Sequence, residues 1–113
     1  MPKIDDPTRL QHMKDAALEA TKFIQGCDRK SLDNNQMLVF ALIKAIEIIG
    51  EAAVNVSVDC QQKHPQIPWS DIIGMRNRLV HAYFAVDLDI LWNTVTLKLD
   101  PLIEELEKII NNR

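Results

Sequence analysis

Apolar residues recur at three-to-four spacing along most of this chain, the period of a helix that turns one side to a core. Leu10, Met13, Ala17, Leu18 and Ile24 form one such side, opened at Asp6-Pro7-Thr8 and stopped near Gly26. Asp6 offers a capping carboxylate, and Pro7 suits the first helical position, where no N–H is needed. A polar connection follows over residues 27–31, with Leu32 tucked inward. A second, longer helix is predicted from Asp33 or Asn35 to about Val58. It is apolar nearly all round, and Lys44, Glu47, Glu51 and Asn55 leave it one narrow polar stripe. Such a helix must be covered on most sides, and a second copy of the chain is the expected cover for part of it. Gly50, Ala52 and Ala53 leave room for another backbone to approach closely.

Residues 63–68 read as a proline-bracketed loop, after which Ser70 is the predicted cap of a helix running through Phe84. Asp87-Leu88-Asp89 starts another helix through Leu91, Trp92, Val95 and Leu99. Asp100-Pro101 either kinks that helix or opens a last one ending near Asn111. Trp69 and Trp92 are expected to anchor helices in the core. The pattern predicts an all-α fold: one domain over residues 1–113, an up-and-down bundle of four to five helices.

Composition narrows the function more than the fold. With 113 residues, 47 % of them hydrophobic and 26 % charged, the chain has the balance of a small folded domain. Three glycines and few strand-type segments favour helix. The net charge of −3 excludes a global basic field for nucleic acid, so any RNA contact must rest on a local cluster. Cys27 and Cys60 fit no metal spacing and read as reduced thiols. The first residues lack an apolar signal core, and Lys44 and Glu47 interrupt the longest apolar run too early for a membrane span. A cytoplasmic location is expected. His12 and His64 show no metal-ligand pattern and read as solvated, and Glu104, Glu105, Glu107 and Lys108 as a solvated helix face. No phosphate-cradling glycine loop or nucleophile elbow occurs, and no cofactor or metal is expected.

The stretch from Gly74 to Phe84 breaks the apolar pattern. At about 100° per residue, Leu79, Ile72, Val80, Ile73 and Phe84 share one arc, with Arg76 and Tyr83 almost superposed in its middle. Asn77 and His81 line up along its edge. An arginine is almost never buried without a partner, so a guanidinium, an amide, an imidazole and a phenol converging on one helix margin suggest a site. Taken singly, each has a structural reading. Arg76 can pair with Glu47 or Glu51, His81 can sit at a helix edge, and Tyr83 can fill a core or interface. Arg78 points away from the arc and reads as solvated.

Arg76-Asn77-Arg78-Leu79-Val80-His81-Ala82-Tyr83 resembles the Arg-x4-His-x-Tyr signature of the HepT-like branch of the HEPN superfamily. The flanking text is similar as well, in Ile46–Ala53, Ile67–Asn77 and Tyr83–Trp92, so that the likeness spans roughly Leu38 to Leu106. The departure is Ala85, where many relatives carry glycine. The resemblance implies an all-α homodimer acting as the toxin of a toxin–antitoxin pair. It implies a metal-independent endoribonuclease whose two motifs meet across the dimer interface. It also implies a partner antitoxin, a minimal nucleotidyltransferase of the MntA type that adds AMP to the motif tyrosine. Carried over by position, Arg76 and His81 become the catalytic pair, Asn77 the polar position beside them, and Tyr83 the modified residue.

The chemistry of these residues agrees with that implication. Cleaving RNA without metal requires an activated 2′-hydroxyl, stabilised charge on the phosphorane and a protonated 5′-oxygen. Histidine serves as general base or acid near neutrality, worth roughly 10²–10⁴-fold in rate. Arginine presents a planar fork of donors matched to phosphate. On one ideal helix Arg76 and His81 lie about 140° apart, and a two-fold interface that supplies two of each eases that mismatch. Glu47 and Glu51 stand on one helix stripe as supports for Arg76. The alternative is a non-catalytic helical partner that presents Tyr83 or a nucleotide pocket to a nucleotidyltransferase. A third reading makes the chain a dimerisation module in which Arg76 merely pairs with a glutamate.

Overall fold

The computed structural model describes residues 4–81 and 85–112. Its first helix, α1 (Asp6–Phe23), is capped by Asp5, whose carboxylate accepts the Thr8 N–H at 2.9 Å. The cap therefore falls one residue before the expected Asp6. Asp6 is engaged elsewhere: its carboxylate accepts the Ser57 N–H at 2.8 Å and the Ser57 hydroxyl at 2.6 Å. After α1, Gly26 takes φ 76°, the left-handed conformation that ends the turn. Cys27 and Cys60 are free thiols, and burial, followed by the Asp6 carboxylate, pushes the Cys60 thiol above its ordinary value.

A single helical turn, α2 (Ser31–Asn34), buries Leu32. Arg29, just before it, donates to Asp33 at 3.0 Å and to Asp89 at 2.7 Å. The central helix α3 (Gln36–Val54) starts on Asn35, whose side chain accepts the Leu38 N–H at 3.0 Å. It stops at Val54, short of the expected Val58, because Ser57 caps a separate short helix, α4 (Val58–Lys63). The Ser57 hydroxyl accepts the Cys60 N–H at 3.1 Å while donating to Asp6. One carboxylate on α1 thus fixes the end of α3. Asp6→Ala is expected to lower the unfolding free energy by about 1–2 kcal/mol, since it removes two charge-assisted bonds and loosens a cap. Urea denaturation followed by circular dichroism checks this.

Helix α5 (Trp69–Leu79) begins before Ser70, so Ser70 is not its cap. The Pro68 carbonyl accepts the Ile72 N–H at 3.0 Å, and the Trp69 indole donates to the His64 carbonyl at 3.0 Å, which starts the first turn at Trp69. Two short antiparallel strands follow, β1 (Val80–His81) and β2 (Ala85–Val86), pairing Val80 with Val86 and His81 with Ala85. Helix α6 (Leu88–Asn93) is capped by Asp87, which accepts the Ile90 N–H at 3.0 Å. Residues 94–98 wind wider, in π fashion, and lead into α7 (Leu99–Asn111). The widening falls where Pro101 has no N–H to donate to the Leu97 carbonyl and its ring crowds that group. The last helix thus opens at Leu99, two residues before Pro101, directly on the π segment.

The four longer rods are α1, α3, α5 and the run α6–α7. Helix α1 packs on α3 and α7, and α5 packs on the other flank of α3. Met13, Leu42, Ile46, Ile49, Leu99 and Leu106 are almost wholly enclosed in one buried cluster. Trp69 is buried, and Trp92 packs partly exposed against the cluster. The fold is the expected all-α bundle, with the two-residue strands as its one departure among the described residues. Within them, no helix is long and apolar enough to cross a membrane.

Candidate active site

Helix α5 ends before the motif does. The Leu79 carbonyl, which in a continuing helix would accept an N–H four residues on, accepts the Asp87 N–H instead at 2.8 Å. Val80 and His81 are therefore extended. The expected alignment of His81 on Asn77 assumed a helix through Phe84, which the backbone leaves at Val80; the expected alignment of Tyr83 on Arg76 falls outside the described residues. Tyr83 and the His81 side chain lie outside what the structure describes. The short ladder keeps the backbone of His81 directly after the helix that carries Arg76 and Asn77, against Ala85.

Arg76 is not buried. Its side chain is 52 % exposed, and its Nε donates to the Glu47 carboxylate at 2.9 Å. Of the two glutamates predicted to support it, Glu47 does so. Glu51, one turn further along α3, accepts instead from the Asn55 amide at 3.5 Å. Helix geometry explains the choice. The α3 and α5 backbones meet at Gly50, where an added Cβ would come within 3.5 Å of the Ile72 carbonyl oxygen. Three residues back along α3 from Gly50, and four on along α5 from Ile72, Glu47 and Arg76 face each other. The approach that Gly50 permits is thus made by α5 of the same chain.

An ion pair this exposed contributes about 0.2–1 kcal/mol. It holds the guanidinium in place without using all of its donors, because Arg76 carries further N–H groups for a phosphate. Asn77 is exposed beside it. Arg78 points to the opposite side, as expected, donating to the Asp71 carbonyl at 2.9 Å and pairing with the Asp71 carboxylate at 3.4 Å.

Around Arg76 lies an open groove of about 640 Å³ that runs across three helices. It is lined by Arg9 and His12 of α1, Glu47 and Glu51 of α3, and Arg76 and Asn77 of α5. Sequence reasoning missed Arg9 and His12. Their spacing of three places them on one helix face, but nothing local says that this face borders the motif. His12 is exposed, as read from the sequence, yet it stands in the groove. Among the described residues no group of histidine, cysteine and carboxylate side chains is gathered to hold a metal ion.

A helical bundle with a short ladder beside a groove edged by Arg76 defines a small α-helical protein. The chain belongs to the HepT-like family: the family profile described as "Ribonuclease HepT-like" matches residues 13–109. It is 35 % identical to the "Putative RNase MJ1380" of Methanocaldococcus jannaschii, over 95 % of this chain and 98 % of that protein. It is 33 % identical to a second protein of that organism, "Putative RNase MJ0125", over 99 % and 97 % of the two chains. It is 43 % identical to the "Probable ribonuclease HepT" of Thermococcus cleftensis, over 74 % of this chain and 69 % of that one. No solved structure matches.

Proposed function

We propose that the protein is an endoribonuclease toxin that cleaves RNA without metal. The observation that carries this reading is Arg76, held by Glu47 at the edge of an open groove, on a helix that leads straight into His81 in a chain of the HepT-like family. In the proposed site Arg76 binds the scissile phosphate and stabilises charge on the phosphorane. His81 moves the proton of the 2′-hydroxyl or the 5′-oxygen, and Asn77 donates to a phosphate oxygen or steadies the imidazole.

The active form is a homodimer. The exposed start of α3 supports it: Met37 is 83 % and Phe40 63 % exposed. Apolar side chains aligned in this way on one helix mark an association surface. Two copies would bring two arginines and two histidines to one cleft.

The partner is a nucleotidyltransferase antitoxin, and the control step is transfer of AMP to Tyr83. The phenol oxygen attacks the α-phosphorus of ATP, pyrophosphate leaves, and the phenolic proton passes to solvent. The adduct sets an anion two residues from His81, where it competes with substrate phosphate for Arg76. Purified protein is expected to cut RNA in EDTA. Intact-mass measurement after co-expression with the nucleotidyltransferase is expected to show one added AMP, absent from Tyr83→Phe, together with loss of cleavage. No cleavage by the unmodified protein, with complex formation intact, would leave the non-catalytic partner reading in its place.

A further inference from the structure

The groove has a second cationic edge that the motif does not account for. The Asp6–Ser57 bonds set the start of α1 beside the end of α3, while α5 lies on the opposite flank with Arg76 against Glu47. Arg9 and His12 therefore stand across α3 from the motif, in the same groove. Arg9 is half-buried, and its Nε is closed off from solvent with no hydrogen-bond partner among the described residues. Among the described residues no carboxylate is bonded to that nitrogen. An N–H buried without an acceptor is costly, and the same side chain lines the groove, where its positive charge favours an anion.

The local charge has the matching sign. Arg9, Lys44 and Arg76 bring three positive charges to the groove, and Glu47 and Glu51 bring two negative ones, leaving +1 with His12 neutral. The chain as a whole carries −3. Both carboxylates are also engaged, Glu47 by Arg76 and Glu51 by Asn55. Single-stranded RNA bound through its phosphates needs a positive track in place of one isolated point.

We infer that Arg9, with His12 beside it, is a positioning site for the substrate: a second anchor for the phosphodiester backbone, on the α1 side of the groove. Single-stranded RNA then crosses α3, with one phosphate at Arg76 and a neighbouring stretch of backbone at Arg9. His12 adds a ring edge for a phosphate or ribose oxygen and a face for stacking. This rests on the ribonuclease reading, and it assigns Arg9 no part in the chemistry.

The experiment uses the full chain and a short, fluorescein-labelled single-stranded oligoribonucleotide of mixed sequence. Binding is measured against NaCl concentration in the His81→Ala background, and cleavage is measured in the parent. Arg9→Ala is expected to raise Kd and KM about tenfold at low salt and to leave kcat within about twofold. It should also shrink the slope of log Kd against log salt by about 0.7, the share of one phosphate contact on a single strand. Arg9→Lys should keep that slope, and His12→Asn should raise KM about two- to threefold.

An unchanged slope and KM for Arg9→Ala overturns the anchor. So does a fall in kcat at constant KM, which would put Arg9 in the chemistry. A change of assembly in light scattering would overturn it as well, making Arg9 a contact between copies. If Arg9→Ala does not fold, Arg9→Gln keeps the stem and removes the charge, and the same measurements apply. Failure of the parent itself to cut RNA counts against the ribonuclease reading. A cleaving parent matched by its Arg9 variants counts against the anchor alone.

Discussion

Arg76→Ala is expected to lower RNA cleavage at least a hundredfold and to move the melting temperature by no more than about 5 °C. The first figure is the usual cost of removing a group that meets transition-state charge. The second follows from the exposure of the Arg76–Glu47 pair, 52 % and 36 % for the two side chains. A pair so open to water contributes about 1 kcal/mol at most, which in a domain of this size is a few degrees. Glu47→Ala is the decisive companion. It breaks the same ion pair but leaves the guanidinium in the groove, so cleavage should stay within about tenfold of the parent. If Arg76 only held α5 to α3, the two variants would behave alike in every assay. His81→Ala is expected to match Arg76→Ala in lost activity. Cleavage in EDTA and thermal melts of the same samples check all three.

Leu42→Ala costs about 2–5 kcal/mol of unfolding free energy, a large share of the margin of a small domain. Leu42 is fully enclosed on α3, within the cluster that holds Met13, Ile46 and Leu106. Its removal forfeits transfer energy and leaves a cavity that rigid helices cannot close. Phe40→Ser, two residues earlier, should behave in the opposite way. Phe40 is 63 % exposed, so its loss barely changes the stability of the single chain. It should instead shift the assembly toward monomer and reduce cleavage with it. Urea melts for the first variant, and light scattering at several concentrations for the second, distinguish a core position from an association position on one helix.

Several local features were legible without coordinates because their causes lie within a few residues. Asp87 caps α6 as read, and Asn35, one of two predicted starts, caps α3. Leu32 is tucked inward as expected, and Leu10, Met13 and Ala17 form the buried side of α1. Each depends on side-chain spacing or on a bond to an N–H three residues away, which short sequence windows contain. The glutamates near Arg76 were legible as candidates for the same reason, being one turn apart on one stripe.

Other features depended on partners far along the chain. Asp6 looked like a cap and is instead bound to Ser57, 51 residues on. That bond explains both the shift of the first cap to Asp5 and the early stop of α3 at Val54. The end of α5 was not legible either. Residues 76–84 carry a helical spacing of apolar groups, but the Leu79 carbonyl is taken by Asp87, and the helix stops. The order of residue types in the motif is written in the chain, whereas the angle drawn to His81 on a helix fails because Val80 and His81 are extended.

The sequence by itself determined an all-α chain, the helix faces that seek a core, and a motif that sets an arginine, an amide, an imidazole and a phenol in close order. Periodicity and side-chain chemistry are properties of neighbours, and neighbours are written in order. Tertiary structure alone decided that Arg76 meets Glu47 and not Glu51, that α5 gives way to a strand pair, and that Arg9 and His12 share the groove of Arg76. Those outcomes depend on how α1, α3 and α5 approach one another. Helix approach is set by packing at points such as Gly50, between residues that the chain keeps far apart.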